Sequence, residues 1–94
     1  MMKGEVWWVR FGPSVGGEIQ KRRPAVIVSR DESNRVLNRL QVVPITSNVS
    51  RLYPSEAYVS INGKRHKAMA NQISTVSKKR LDSRMGALSQ ADLE

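Results

Sequence analysis

The sequence predicts a small protein that is mainly β with short helices, folded as a barrel or a compact sandwich. Its apolar stretches are short, as in "PAVIVS" at 24–29, and turn-forming residues such as Asn62 and Gly63 separate them. No segment has the apolar spacing of a long helix. With 94 residues, the chain is expected to be a single domain, 1–94.

The first part of the chain contains two predicted strands joined by a loop. "GEVWWVRF" alternates along a strand, so Trp7 and Trp8 point to opposite faces, and we expect Trp8 to be the one in the core. "GPSVGGEIQKRR" is rich in glycine, and its length is typical of a functional loop. "PAVIVS" is apolar like a strand that is buried on both faces, and Pro24 is expected to open it.

Short elements continue through the rest of the chain. "SRDESNRVLNR" predicts one helical turn, and "LQVVPITS" predicts a strand in which Pro44 marks an edge or a bulge. "AYVSI", "NG" and "KRHKAMANQIS" predict a hairpin with a type I′ turn and a long second strand. We expect Ser77 to cap a helical turn, followed by a last strand at "RMGAL". Ser89 is expected to cap a C-terminal helix that is incomplete in this sequence.

Charge is the strongest signal in the composition. Sixteen Lys and Arg oppose eight Asp and Glu, which gives a net charge of +8 and favours a polyanionic partner. The absence of cysteine excludes thiolate metal sites, and the single histidine, His66, which we expect at the surface, cannot form a metal site alone. We therefore expect no metal and no cofactor. Without a run of ~20 apolar residues or a signal peptide, the protein is expected to be cytoplasmic and to make no membrane contact.

The cations cluster in three runs, Lys21–Arg23, Lys64–Lys67 and Lys78–Arg80. The first run leads directly into Pro24 and the buried strand, so Arg23 would be held on a stiff element, as a phosphate-binding guanidinium requires. For the second run, phosphate contact and a solvated hairpin face remain equally open. The candidates for stacking on unpaired bases are Trp7, Trp8, Tyr53 and Tyr58.

Three motifs follow one another in order: "GEVWWVRFGPSVGGEIQKRRPAVIVS", "VVPITSN" and "NQIST", with "GALS" leading to a helix start. In these motifs the chain resembles the MazF/PemK family of toxin endoribonucleases along almost its whole length. The resemblance implies an SH3-like β-barrel, a homodimer and a toxin of a type II toxin–antitoxin system. It further implies metal-independent cleavage of single-stranded RNA through attack of the 2′-hydroxyl, which leaves a 2′,3′-cyclic phosphate, and inhibition by a cognate antitoxin.

The resemblance assigns two catalytic residues, Arg23 and Thr46. We assign charge stabilisation to Arg23, because a guanidinium is a poor base, and phosphate positioning to the hydroxyl of Thr46. The candidate RNA-binding residues are Glu18, Lys21, Arg22, Ser47, Asn71 and Gln72.

Two positions depart from some members of the family. Gly17 stands where some members have a histidine, and Asn71 stands where some have a carboxylate. Because neither residue can accept a proton at neutral pH, the general base is unassigned, and Glu18 is the nearest carboxylate in sequence. Two other functions remain open: a barrel that only binds nucleic acid, and a poison of DNA gyrase like the CcdB toxins.

Overall fold

The computed structural model describes residues 1–11, 22–50, 52–54, 56–89 and 92. The seven strands are β1 (Glu5–Arg10), β2 (Arg22–Ile27), β3 (Arg39–Thr46), β4 (Glu56–Ile61), β5 (Lys64–Met69), β6 (Ser74–Ser77) and β7 (Leu81–Ala87). The helical elements are α1 (Asp31–Val36) and the 3-10 turns Ala70–Gln72 and Lys78–Arg80. The strands pair antiparallel in the order β4-β5-β3-β2-β1-β7, and β6 also pairs with β3. The sheet curls into a half-barrel with little helix, which confirms the predicted fold class.

β3 has two different partners along the same edge. Its first part, Arg39–Val42, pairs with β6, and its end, Ile45–Thr46, pairs with β5. The predicted single strand "KRHKAMANQIS" is therefore wrong, since a 3-10 turn divides it into β5 and β6. The exposure of both Ala70 and Asn71 breaks the alternation that one continuous strand requires.

Pro24 and Pro44 occupy different positions from those expected. Pro24 is the third residue of β2 and pairs with Trp8, so it does not open the strand. Pro44 is buried in β3, between the segments that pair with β6 and β5. A residue without an N–H fits this gap, because neither β6 nor β5 pairs with Pro44.

Two apolar cores lie on opposite faces of β1, β2 and β3. The first core contains Val9, Ala25, Ile27, Leu40, Val42, Val76 and Leu81. The second core contains Val6, Val26, Val43, Ile45, Val59 and Ile61. Because successive residues of a strand alternate between the cores, "AVIV" is buried on both faces, as its unbroken apolar sequence predicts.

Two side chains differ from the predicted burial. Trp7, rather than Trp8, packs against the first core, whereas Trp8 lies beneath the guanidinium of Arg22. His66 is 6% exposed, so the prediction of a surface histidine is wrong. It lies opposite the buried Val59, and its Nδ1 is 3.1 Å from the carbonyl oxygen of Lys64.

The β4–β5 hairpin has the predicted two-residue turn. Asn62 and Gly63 have φ values of 53° and 79°, the positive values that a type I′ turn requires. The side-chain amide of Asn62 donates to the carbonyl of Met85 in β7 (3.2 Å). This bond joins the hairpin to the opposite edge strand and helps to close the half-barrel.

The predicted helical turn is α1, and it is anchored by a buried residue. The amide Nδ2 of Asn34 donates to the carbonyl of Ser29 (2.9 Å), and Lys78 Nζ donates to the carbonyl of Asn34. The predicted caps are also confirmed, since Ser77 Oγ accepts from the N–H of Lys79 and Ser89 Oγ accepts from the N–H of Asp92. No helix in the part of the chain described here is long and apolar enough to cross a membrane.

Candidate active site

The two predicted catalytic residues come from adjacent strands. β2 and β3 pair Ala25 with Pro44 and Ile27 with Val42. Continuing this register by two residues brings Arg23, near the start of β2, opposite Thr46, at the end of β3. Because side chains alternate along a strand, Arg23 shares a face with Ala25 and Thr46 shares a face with Pro44, so both residues lie on one face of the sheet, two residues beyond the last paired positions.

The row that contains Arg23 and Thr46 continues across two further strands. Thr46 pairs with Lys67 of β5, and Lys67 pairs with Tyr58 of β4. We call Arg23, Thr46, Lys67 and Tyr58 the cross-strand row. Strands lie about 4.8 Å apart, so the row spans about 14 Å from Arg23 to Tyr58. Within it, a cation, a hydroxyl, a second cation and an aromatic ring follow in order.

The side chains of Arg23 and Thr46 differ in the partners that they have within the protein. Arg23 is half-buried and forms no ion pair with any other residue that the structure describes. Thr46 Oγ1 accepts a hydrogen bond from the N–H of Asn48 (3.2 Å), which fixes the hydroxyl at the strand end. That bond does not use the hydroxyl hydrogen, so Thr46 can still donate to a bound anion.

Lys67 is held by a carboxylate beside Thr46. Its Nζ lies 3.1 Å from Glu56 Oε1, and the two side chains are 8% and 9% exposed. The ammonium also lies 5.5 Å from the centroid of the Tyr53 ring. The N–H of Tyr53 donates to Glu56, and this bond, together with Lys67, holds the pKa of Glu56 below its usual value. Glu56 is therefore a positioning anion for Lys67 and a poor proton acceptor.

Tyr58 ends the cross-strand row and stacks against Arg65, a cation outside the row. The guanidinium carbon of Arg65 lies 4.6 Å from the centroid of the Tyr58 ring. The Tyr58 hydroxyl donates to the carbonyl of Val49 (3.0 Å), which ties the β3–β4 connection to the hairpin. Tyr58 as a residue is 37% exposed, so a planar cation and an aromatic ring are stacked together at the surface.

Arg22 projects to the opposite face from Arg23. Its Nε lies 3.0 Å from Asp82 Oδ2, and its guanidinium carbon lies 4.5 Å from the centroid of the Trp8 ring. Arg10 Nε approaches the other oxygen of Asp82 at 2.9 Å. Arg22 is thus part of a two-arginine cluster around one carboxylate, away from the cross-strand row.

The other predicted site residues are dispersed. Ser47 is exposed directly after Thr46. Asn71 and Gln72 belong to the 3-10 turn that follows β5. Lys67 pairs directly with Thr46, and this turn lies further from Thr46 than Lys67 does. Gln72 Nε2 contacts Met69 Sδ at 3.8 Å. Glu18 and Lys21, and the Gly-rich loop that contains them, fall outside the described residues.

The described residues also bear on two other kinds of site, a metal centre and a ligand cavity. Among the residues that the structure describes, no group of three or more His, Asp or Glu is placed to hold a metal ion. A cavity of about 410 Å³ lies beside α1, lined by residues that include Ser33, Leu37 and Gln41. It contains no residue of the cross-strand row.

Comparison with known proteins identifies the family. Residues 2–94 match the model of the PemK-like, MazF-like toxins of type II toxin–antitoxin systems. The chain belongs to this toxin family. Among its curated relatives is endoribonuclease MazF9 of Mycobacterium tuberculosis, which is 37% identical over 102 residues, an alignment that covers 99% of this chain and 86% of the relative.

Solved structures of PemK/MazF-like toxins have the same fold. MazF from Deinococcus radiodurans superposes with a TM-score of 0.84 at 25% identity, covering 99% of this chain and 86% of that one. A mycobacterial endoribonuclease, solved in complex with its cognate antitoxin, has a TM-score of 0.80 at 21% identity, covering 99% of this chain and 84% of that one. The second likeness supports the fold alone. Both agree with the half-barrel described above.

The sequence predicted the half of the cross-strand row that lies on the β4–β5 hairpin. A two-residue turn at Asn62–Gly63 sets the register of the hairpin, which pairs Tyr58 with Lys67. The sequence could not indicate that β5 pairs with the end of β3, because these strands are far apart in the sequence. The burial of Lys67 against Glu56 was therefore missed.

Proposed function

We propose that this chain is the toxin of a type II toxin–antitoxin system and acts as an endoribonuclease on single-stranded RNA. The observation that carries the proposal is the opposition of Arg23 and Thr46, two residues from separate family motifs, on adjacent strands. The name of the curated mycobacterial relative, an endoribonuclease, supports the same activity. The net charge of +8 suits a polyanionic substrate.

The proposed reaction is an internal transesterification, in which the phosphorus passes from the 5′-oxygen to the 2′-oxygen and one proton is lost for each one gained. The 2′-hydroxyl oxygen attacks the adjacent phosphorus and loses its proton, while the bond to the 5′-oxygen breaks and that oxygen gains a proton. The products are a 2′,3′-cyclic phosphate and a 5′-hydroxyl. Negative charge builds up on the phosphorane oxygens between these events, and stabilising it is the main contribution of a fixed cation.

Arg23 and Thr46 have complementary roles in this reaction. The planar guanidinium of Arg23 can donate two parallel hydrogen bonds to non-bridging oxygens. The hydroxyl of Thr46, fixed by the N–H of Asn48, donates to the same phosphate and sets its position. The proposal assigns both residues to charge stabilisation and neither to proton removal.

The proposed assembly follows the family. We propose that residues 1–94 form one toxin domain that acts as a cytoplasmic homodimer and is inhibited by a cognate antitoxin. A solved relative that contains its cognate antitoxin supports the last part. The cleavage is proposed to be independent of metal ions, because Arg23 supplies the positive charge that a metal would otherwise provide.

The test is cleavage of a long single-stranded RNA in EDTA by the wild type and by Arg23→Ala, with the chemistry of the cut ends mapped. We expect discrete cuts that end in cyclic phosphates, and a loss of at least about 100-fold in rate for the variant. RNA binding without cleavage by the wild type would indicate a non-catalytic barrel. Cuts that require added Mg²⁺ would contradict the mechanism.

A further inference from the structure

The Tyr58–Arg65 stack on the β4–β5 hairpin has no role in the reaction described above. It lies on the same face as Arg23 and Thr46, at the far end of the cross-strand row. The ring is partly exposed, and the guanidinium that covers it belongs to an exposed residue. An aromatic ring and a planar guanidinium are the two surfaces on which proteins stack unpaired bases.

We infer that Tyr58 and Arg65 form a base-stacking subsite that takes one unpaired RNA base flanking the phosphate to be cut. The inference rests on the proposed function for the position of that phosphate, beside Arg23 and Thr46. The subsite holds the flanking base on the plane of the Tyr58–Arg65 stack. Base stacking tolerates many sequences but differs in strength between bases, so the subsite influences where the RNA is cut.

Three contacts make the subsite rigid. The hydroxyl of Tyr58 is bonded to the carbonyl of Val49, and its strand neighbour Lys67 is paired with Glu56. The hairpin turn at Asn62 is tied to β7 through the carbonyl of Met85. A ring held in this way loses little side-chain entropy when a base stacks on it, which favours binding.

The separation along the row suits a flanking base. Tyr58 lies three strands from Arg23, about 14 Å between backbones. Between them, Lys67 is buried and paired with Glu56, so it supports the row from within and does not offer its charge to the RNA. A single strand that follows the row would therefore meet the cation of Arg23 at one end and the ring and guanidinium of the Tyr58–Arg65 stack at the other, and cations with aromatic rings are the combination used in single-strand binding.

The direct test compares four variants on one long single-stranded RNA: Tyr58→Leu, Tyr58→Phe, Arg65→Gln and Arg30→Gln. Arg30 is the matched control for charge, because it is 82% exposed and paired with Glu32 on a different element. We expect Tyr58→Leu to lose about tenfold in kcat/KM, mainly through KM, and to relax base preference at one position next to the cut. Arg65→Gln should show a smaller change of the same kind, and Arg30→Gln should match the wild type.

Tyr58→Phe separates stacking from loop anchoring. It keeps the ring and removes the bond to Val49, so it should retain kcat/KM within about twofold. If Tyr58→Phe loses as much as Tyr58→Leu, the hydroxyl and not the ring is responsible, and the stacking subsite is overturned. Equal melting temperatures for the variants would show that differences in kcat/KM do not come from loss of folded protein.

An abasic substrate provides the sharper test. A set of short RNAs, each with one abasic nucleotide near the cut, should reveal one position at which the wild type loses about tenfold. At that position Tyr58→Leu should cost nothing further, because the stacking partner is already missing. Full additivity of the two changes would overturn the inference.

The two proposals fail in distinguishable ways. If the wild type does not cleave, the proposed function fails, and binding of an RNA without the reactive 2′-hydroxyl still tests the subsite. Weaker binding by Tyr58→Leu would then support the subsite, and equal binding would overturn it. If the wild type cleaves and Tyr58→Leu has the same cut sites and KM, only the subsite is wrong.

Discussion

At the scale of single residues, Arg22 and Arg23 are neighbours in sequence with different environments. Arg22 pairs with Asp82 and stacks on Trp8, whereas Arg23 has no ion pair with a described residue and lies opposite Thr46. The cause is the two-residue period of a strand, which sends adjacent side chains to opposite faces. Of the two, Arg23 is the cation that shares a face with the hydroxyl of Thr46.

The hydroxyl of Thr46 can be tested by substitutions of nearly equal size. Thr46→Val removes the donor to phosphate and the acceptor for Asn48, so we expect kcat to fall by about tenfold or more. Thr46→Ser keeps the hydroxyl and should retain most of the activity. Single-turnover rates in saturating enzyme give the comparison. Equal rates for the Val and Ser variants would show that the hydroxyl has no role.

The Glu56–Lys67 pair makes a prediction that depends on pH. The N–H of Tyr53, and after it Lys67, lower the pKa of Glu56, so the ionised carboxylate stabilises the fold above the ordinary glutamate pKa, and this contribution is lost as pH falls through the lowered value. Glu56→Gln should therefore lower the melting temperature at neutral pH, and the difference from the wild type should shrink in acid. A difference that stays constant with pH would exclude the charge of Glu56 as its cause.

At the scale of elements, the hairpin turn is the point where backbone conformation decides stability. Gly63 has a φ of 79°, and a Cβ placed there would meet no atom within 4 Å. Gly63→Ala should therefore cost about 1 kcal/mol in the free energy of unfolding through backbone strain alone. Gly63→Asn should cost less, because Asn tolerates this conformation. Urea unfolding measures both, and an unchanged Gly63→Ala midpoint would contradict the turn type.

The elements also show which parts of the fold could be predicted from sequence. The strand Glu5–Arg10, the turn at Asn62–Gly63 and the cap at Ser77 follow from local patterns of two to eight residues, and all three are confirmed. The division of β5 from β6 was missed, because it follows from the change of partner along β3. The common face of Arg23 and Thr46 likewise depends on tertiary register. Family motifs indicated both residues, and the register of β2 with β3, continued by two residues, brings them to one face of the sheet.

At the scale of the whole molecule, the surplus of cations predicts strong dependence of RNA binding on salt. For single strands, the logarithm of the binding constant falls by about 0.7 per neutralised phosphate for each tenfold increase in salt. If Arg65 lies along the RNA, Arg65→Gln should make the slope shallower by about this amount, whereas Arg30→Gln should leave it unchanged. Anisotropy titrations with an uncleavable RNA give the slopes. Equal effects of the two variants would mean that only net charge matters.

The most direct measurement is a double-mutant cycle on the two residues of the proposed phosphate site. Wild type, Arg23→Ala, Thr46→Val and the double variant would cleave one RNA in EDTA under single-turnover conditions. The account predicts that each single change slows cleavage and that the double variant is slowed by less than the product of the two, because both side chains act on one phosphate. Four equal rates, or two fully multiplicative losses, would contradict it.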